Sequence, residues 1–210
     1  FSILPESALS WVMNNFIQIH YVYDWDIVTF DGHKLLMSNC PSIDYFNEEG
    51  NYCSEEAFSE LKEKIIQSIE RDEYLYIYVD RFFNECSDFY QKYHMPHEIF
   101  IYGYDLTADI VYVGDNLRKG KFVFDTCSFC SLLKAYCILQ SDIKFFKVIR
   151  KLRVCENTTC NLNINQIKYG IEVYLNSSET YTIVGEPSKM NYGIGIIDNI
   201  AEQVLKNKGE

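Results

Sequence analysis

The sequence predicts an α+β domain built on antiparallel strands. Three observations carry this. Amphipathic helical patterns open the chain and recur near residues 54–71 and 127–139. Between the last two lie strand-like runs that include an antiparallel hairpin closed by a three-residue connection. Further helical patterns gather toward the C-terminus instead of alternating with strands, as parallel units would require.

Pro5-Glu6-Ser7 opens the first helix, and Ala8, Leu9, Val12, Met13 and Phe16 then recur at helical spacing, which predicts a helix from Glu6 to Ile17. Ile19 to Phe30 is dense in aromatic and β-branched residues, so it reads as two short strands or one interrupted strand before an Asp31-Gly32 turn. Residues 39–52, with Pro41 and Glu48-Glu49-Gly50, read as a loop. Ser54 is placed to cap a second helix whose Glu55 and Glu56 favour its dipole. Its apolar face is Phe58, Leu61, Ile65, Ile66 and Ile69, and it ends near Arg71. Leu75 to Val79 is a strand closed by Asp80, and a loop from Arg81 to Pro96 leads into a hairpin. Gly120 to Phe124 adds a strand, and Cys127 to Leu139 a helix. Ile164 to Leu175 and Ile194 to Leu205 have helical periodicity, with a turn-rich stretch between them. Residues 1–145 are therefore expected to form one α+β domain. Residues 146–210 are expected to form a helical extension packed on it, or the start of an incomplete second domain.

At 210 residues and 48% apolar content the chain can bury a substantial core. The net charge of −11 argues against general nucleic-acid binding, which needs a surplus of cations to neutralise phosphates. There is no run of about 18 apolar residues, so no membrane-spanning helix is expected. The N-terminus has no basic segment followed by an apolar one, so no secretory signal is expected either. The eight cysteines then read as reduced thiols of a cytoplasmic protein. Cys127, Cys130, Cys137, Cys155 and Cys160 could be assembled into a zinc site, but those from Cys127 to Cys137 fall in an apolar helical run where cysteine acts as a small buried hydrophobe. No cofactor and no metal is expected. Asn157-Thr-Thr and Asn176-Ser-Ser match glycosylation triplets that carry no weight without secretion.

The most informative stretch runs from Tyr93 to Asn116. Pairing its strands across a three-residue connection, Asp105 to Thr107, sets Tyr104 against Ala108 and His97 against Asp115. Directly opposed Cβ atoms lie about 4.5–5.5 Å apart, close enough for a carboxylate to accept an imidazole N–H. This is the orienting half of a Cys-His-Asp or Ser-His-Asp unit. A structural His–Asp bond at a sheet edge is the alternative. His94 could line the same cleft or face solvent. Asp80 could bind a substrate amine, hold the loop or cap its strand, and Tyr90 could contact substrate or only pack.

Asp80-Arg81-Phe82-Phe83, the approach from Tyr90 to His94, His97, Ile101-Tyr102-Gly103-Tyr104-Asp105, Val113-Gly114-Asp115-Asn116 and Gly120-Lys121-Phe122 together resemble the papain-like superfamily. Within it they are most similar to the N-terminal domain of the butirosin-biosynthesis H proteins. The broader hairpin pattern is also similar to the peptidases that cut after a double glycine. Asn176-Ser177-Ser178-Glu179 and the run from Tyr192 to Asp198 resemble the family's later helical segment. The resemblance spans about residues 75–205. It implies a papain-like fold and transfer of an acyl group from an acyl carrier protein thioester to an amine on a small-molecule or peptide substrate, in peptide or aminoglycoside biosynthesis. His97 would be the base and acid, Asp115 would fix its tautomer, and a cysteine opening the first helix would be the nucleophile. No thiol precedes Cys40, so that nucleophile is not visible in this chain. Ser2, Ser7, Cys40 and Cys53 are weak substitutes, and a non-catalytic binding or scaffold module is the alternative function.

Lys144, Lys147, Arg150, Lys151 and Arg153 place five positive charges in ten residues. With Lys147, Arg150 and Lys151 at its centre, such a patch would steer an acidic carrier protein into place. A solvated face of one element is the alternative.

Overall fold

The computed structural model describes residues 6–23, 27–30, 40–49, 55–139, 146, 148–156, 158–180 and 190–207. In chain order the elements are α1 (Glu6–Asn15), β1 (Ile19–Val22), β2 (Ile27–Phe30), β3 (Ile43–Glu49), α2 (Glu55–Ile69), β4 (Glu73–Asp80), β5 (Pro96–Asp105), β6 (Ile110–Arg118), β7 (Lys121–Ser128), α3 (Phe129–Cys137), β8 (Val148–Val154), α4 (Ile164–Leu175), β9 (Met190–Tyr192) and α5 (Gly195–Asn207). The class is α+β with antiparallel strand pairing. Among the described residues no helix is long and apolar enough to cross a membrane.

The chain forms two compact units. One comprises Phe1–Ile43 with Cys155–Glu210, and the other is Asp44–Val154. This grouping differs from the expected break after residue 145. In the first unit β1 pairs with β2 on one side and with the distant β9 on the other, so the N-terminal strands belong with the C-terminal helices. The side chain of Asn14 in α1 holds the start of α4, accepting from Asn163 N (2.8 Å) and donating to Asn161 O (2.9 Å).

The second unit is a six-stranded sheet in the order β3-β8-β4-β5-β6-β7. Alternation along β4 sends Leu75, Ile77 and Val79 to one face and Tyr74, Tyr76 and Tyr78 to the other. Ile99, Ile101, Val111 and Val113 extend the first face, which packs with Leu61 and Ile65 of α2 and with Phe129, Leu132, Leu133 and Tyr136 of α3 into one core. Each such fully buried aliphatic side chain is worth about 1.5–3 kcal/mol over leaving it exposed. Ser128 caps α3 by accepting from Ser131 N.

Two expectations need correction. The stretch read as a loop contains β3, and the stretch read as the start of a helical extension contains β8. Cations concealed β8 because they occupy positions where a strand usually shows apolar residues. In the folded sheet Arg150 is buried with its guanidinium 5.5 Å from the Tyr78 ring centre. Lys151 pairs with Glu48 of β3 (2.7 Å) and Arg153 with Glu73 of β4. Ser54 and the Asp31-Gly32 turn lie outside the described residues.

Candidate functional site

The site is built on the β5–β6 hairpin and the end of β4. Its turn has four residues, Leu106 to Asp109, not three. Asp105 Oδ1 accepts from the backbone N–H of Thr107 (2.8 Å) and Ala108 (3.0 Å), and Asp109 takes a left-handed φ of 53°. Tyr104 therefore faces Val111, not Ala108. A bulge between Ile101 and Gly103 returns one residue of that slip, and Phe100 faces Gly114. The net displacement from the expected register is two residues. Because side chains alternate with a period of two, a shift of two keeps His97 and Asp115 on one face. They meet diagonally, with His97 Nδ1 3.2 Å from Asp115 Oδ2.

Arg81 joins them. Its Nη2 donates to Asp115 Oδ2 at 2.6 Å and to Asn116 O at 3.2 Å, and lies 3.0 Å from His97 Nδ1. Arg81 and Asp115 are both buried, whereas the His97 side chain keeps 21% of its surface exposed. His97 Nδ1 is also 3.0 Å from the Glu98 carbonyl. Two tautomers thus compete. With the proton on Nδ1, the ring donates to Asp115 or Glu98 and leaves Nε2 as a base. With the proton on Nε2, Nδ1 accepts from Arg81. Burial pushes the His97 pKa down, but the bond to Asp115 and the charges of Glu98 and Asp115 outweigh it, and the net shift is upward. Burial likewise pushes Asp115 up, but His97 and Arg81 outweigh it and hold the carboxyl below its ordinary range.

A second histidine–carboxylate pair lies beside the first. His94 Nδ1 is 2.7 Å from Asp80 Oδ2. Asp80 Oδ1 accepts from the backbone N–H of Phe82 and of Met95, both at 3.0 Å. Asp80 is buried, and these two bonds tie the ends of the 81–95 loop together, the loop-holding alternative of the sequence reading. His94 is exposed, and its ring stacks on Phe82 with centroids 4.2 Å apart. Tyr90 borders a cavity of about 260 Å³ together with Phe82, Phe83, Cys130, Ser131 and Lys134. Cys130 is exposed there, in contrast to the expectation of a buried hydrophobe, while Cys127 is buried.

Arg81 is the residue that sequence reasoning left without a role. An arginine immediately after a strand-ending aspartate is a signal for an ion pair, but nothing local to residue 81 identifies a partner at residue 115.

Among the described residues, the polar contacts of His97 are with Arg81, Asp115 and Glu98, none of them a thiol or a hydroxyl. Cys40 belongs to the first unit and is buried. Ser2, Cys53 and the side chain of Ser7 lie outside the described residues. Lys147 also lies outside them, and Arg150 and Lys151 are engaged within the sheet, so β8 offers no open cationic face at those two positions.

Comparison with protein-family models and with curated proteins returned no match.

Proposed function

We propose that the second unit is a papain-like module of peptide or aminoglycoside biosynthesis that moves an acyl group from a carrier-protein thioester to an amine. The observation that carries this reading is the Nδ1 side of His97, where Asp115 Oδ2 and the Glu98 carbonyl lie at 3.2 and 3.0 Å. Both are acceptors, and together they favour the tautomer with Nε2 free to act as a base. The nucleophile is not visible in this chain; given a thiol beside the ring, His97 takes that thiol's proton. The thiolate attacks the thioester carbonyl, the acyl group passes to the enzyme, and the carrier thiol leaves with the proton. The amine then attacks the acyl-enzyme, releasing the amide and restoring the thiol.

A second reading is favoured by Arg81. Its Nη2 lies 3.0 Å from His97 Nδ1, which places a permanent cation where a catalytic pair needs a proton shared with the carboxylate. On that reading the module binds a ligand and does no chemistry.

Intact-mass spectrometry of the chain incubated with an acyl-loaded carrier domain separates the two. Acyl transfer predicts a mass gain equal to the acyl group, lost in His97→Gln. A His97→Gln variant acylated as fast as the parent would remove His97 from the reaction. Carrier binding with no mass gain in the parent supports the binding module.

A further inference from the structure

We propose that β7, the last strand of the six-stranded sheet among the described residues, pairs antiparallel with β7 of a second copy of this chain about a two-fold axis at Val123. Several features of the edge converge on this. The N–H of Thr126 is turned to the carboxylate of its neighbour Asp125 (2.9 Å), and the N–H of Ser128 to Glu85. The even-numbered residues of β7 therefore direct their backbone groups away from β6. Asp125 and Glu85 close that edge at Thr126 and Ser128, a common protection against unwanted pairing. Phe122 and Phe124 are the even-numbered residues left.

Those two positions carry large exposed rings, with 57% and 66% of their surface accessible. The rings already pack on one another and on the strand beside them. They lie 5.3 Å apart edge to face, Phe124 packs edge-on against Tyr102 at 5.2 Å, and both close over Gly114. Ordering them at an interface therefore costs little entropy.

The two-fold register decides the occupant. Centred on Val123, it sets Phe122 against Phe124 of the second copy, which joins outward-directed residues to each other and brings four rings together. It also sets Lys121 against Asp125 of the second copy, twice by symmetry. This segment is complementary in charge to itself, as an isologous interface requires. Asp125 keeps its contact with Arg118 of its own chain, so two cations share one carboxylate. Asp115 is the cross-strand neighbour of Val123, and pairing would stiffen the strand next to the site.

Sedimentation velocity of the full chain at physiological ionic strength tests this. A species of twice the 24.7 kDa chain mass should grow with concentration. Lys121→Asp, which opposes like charges across the axis, should weaken association about tenfold. Adding Asp125→Lys should restore it. Phe122→Glu should abolish it, with circular dichroism unchanged. A chain that stays monomeric at every concentration overturns the proposal, including one whose edge instead takes up an extended peptide. So does a dimer indifferent to both Lys121→Asp and Phe122→Glu.

Discussion

Arg81 and Asp115 form a buried ion pair, Nη2 to Oδ2 at 2.6 Å, that joins the end of β4 to β6 beneath the His97 ring. Removing Arg81 takes a full positive charge from a buried carboxylate and leaves it the partly exposed His97 ring and the Asn116 N–H as partners. Arg81→Met is therefore expected to cost about 3–5 kcal/mol of stability, as is typical when a buried pair is broken from one side. The double variant Arg81→Met, Asp115→Leu should cost clearly less than the sum of the singles. Urea unfolding measures all three, and additive losses would show that the pair is not coupled.

The same site makes stability depend on pH in two directions. His97 binds its proton more tightly in the folded chain than at its ordinary value of 6.5. Its contribution is fully present below that value and is lost as pH rises through the higher folded pKa. Asp115 is shifted down from 3.8, so its contribution is present above that value and is lost as pH falls through the lower folded pKa. Relative to the parent, His97→Gln should flatten the decline on the alkaline side and also shrink the acid limb, because His97 together with Arg81 holds Asp115 down. Unfolding midpoints from pH 3 to 9 provide the measurement.

Asp80 and His94 should differ in weight although they bond to each other. Asp80→Ala strands two backbone N–H groups and should cost about 1–3 kcal/mol. His94→Ala removes an exposed ring and should cost under about 1 kcal/mol. Hydrogen exchange at the Phe82 and Met95 amides gives the local readout, with faster exchange expected in Asp80→Ala.

In the first unit, Gly193 sits at φ 56°, and a Cβ there would fall 2.0 Å from the carbonyl oxygen of Tyr174. Backbone cannot yield as the tip of a flexible side chain can. Gly193→Ala should cost at least about 2 kcal/mol from left-handed strain and the clash together. Thermal unfolding with a midpoint near that of the parent would contradict this.

Lys151 is tied to Glu48, whose carboxyl is held below its ordinary range by Lys151 and Lys64. Lys151→Glu should therefore lower the unfolding midpoint by loosening β8 against β3. Reduced carrier binding at unchanged stability would instead return this residue to a docking role.

Local pattern determined much of this protein. The helical faces of α1, α2 and α4, the alternation along β4 and the hairpin with its histidine and aspartate follow from residues close in sequence, because each element must hide one apolar stripe or face. The pairing of His97 with Asp115 was legible for the same reason. A two-residue error in register preserves the face, whereas a one-residue error would have separated them.

Tertiary structure decided the rest. β8 carries cations at Arg150, Lys151 and Arg153, and Glu48, Glu73 and the Tyr78 ring, brought in from β3 and β4, let them lie in a strand. β1 finds β9 across most of the chain, and Arg81 finds Asp115 across two strand crossings. Charge compensation and long-range strand pairing depend on which distant segment arrives alongside. No window of sequence contains both partners, so these relations exist only in the folded chain.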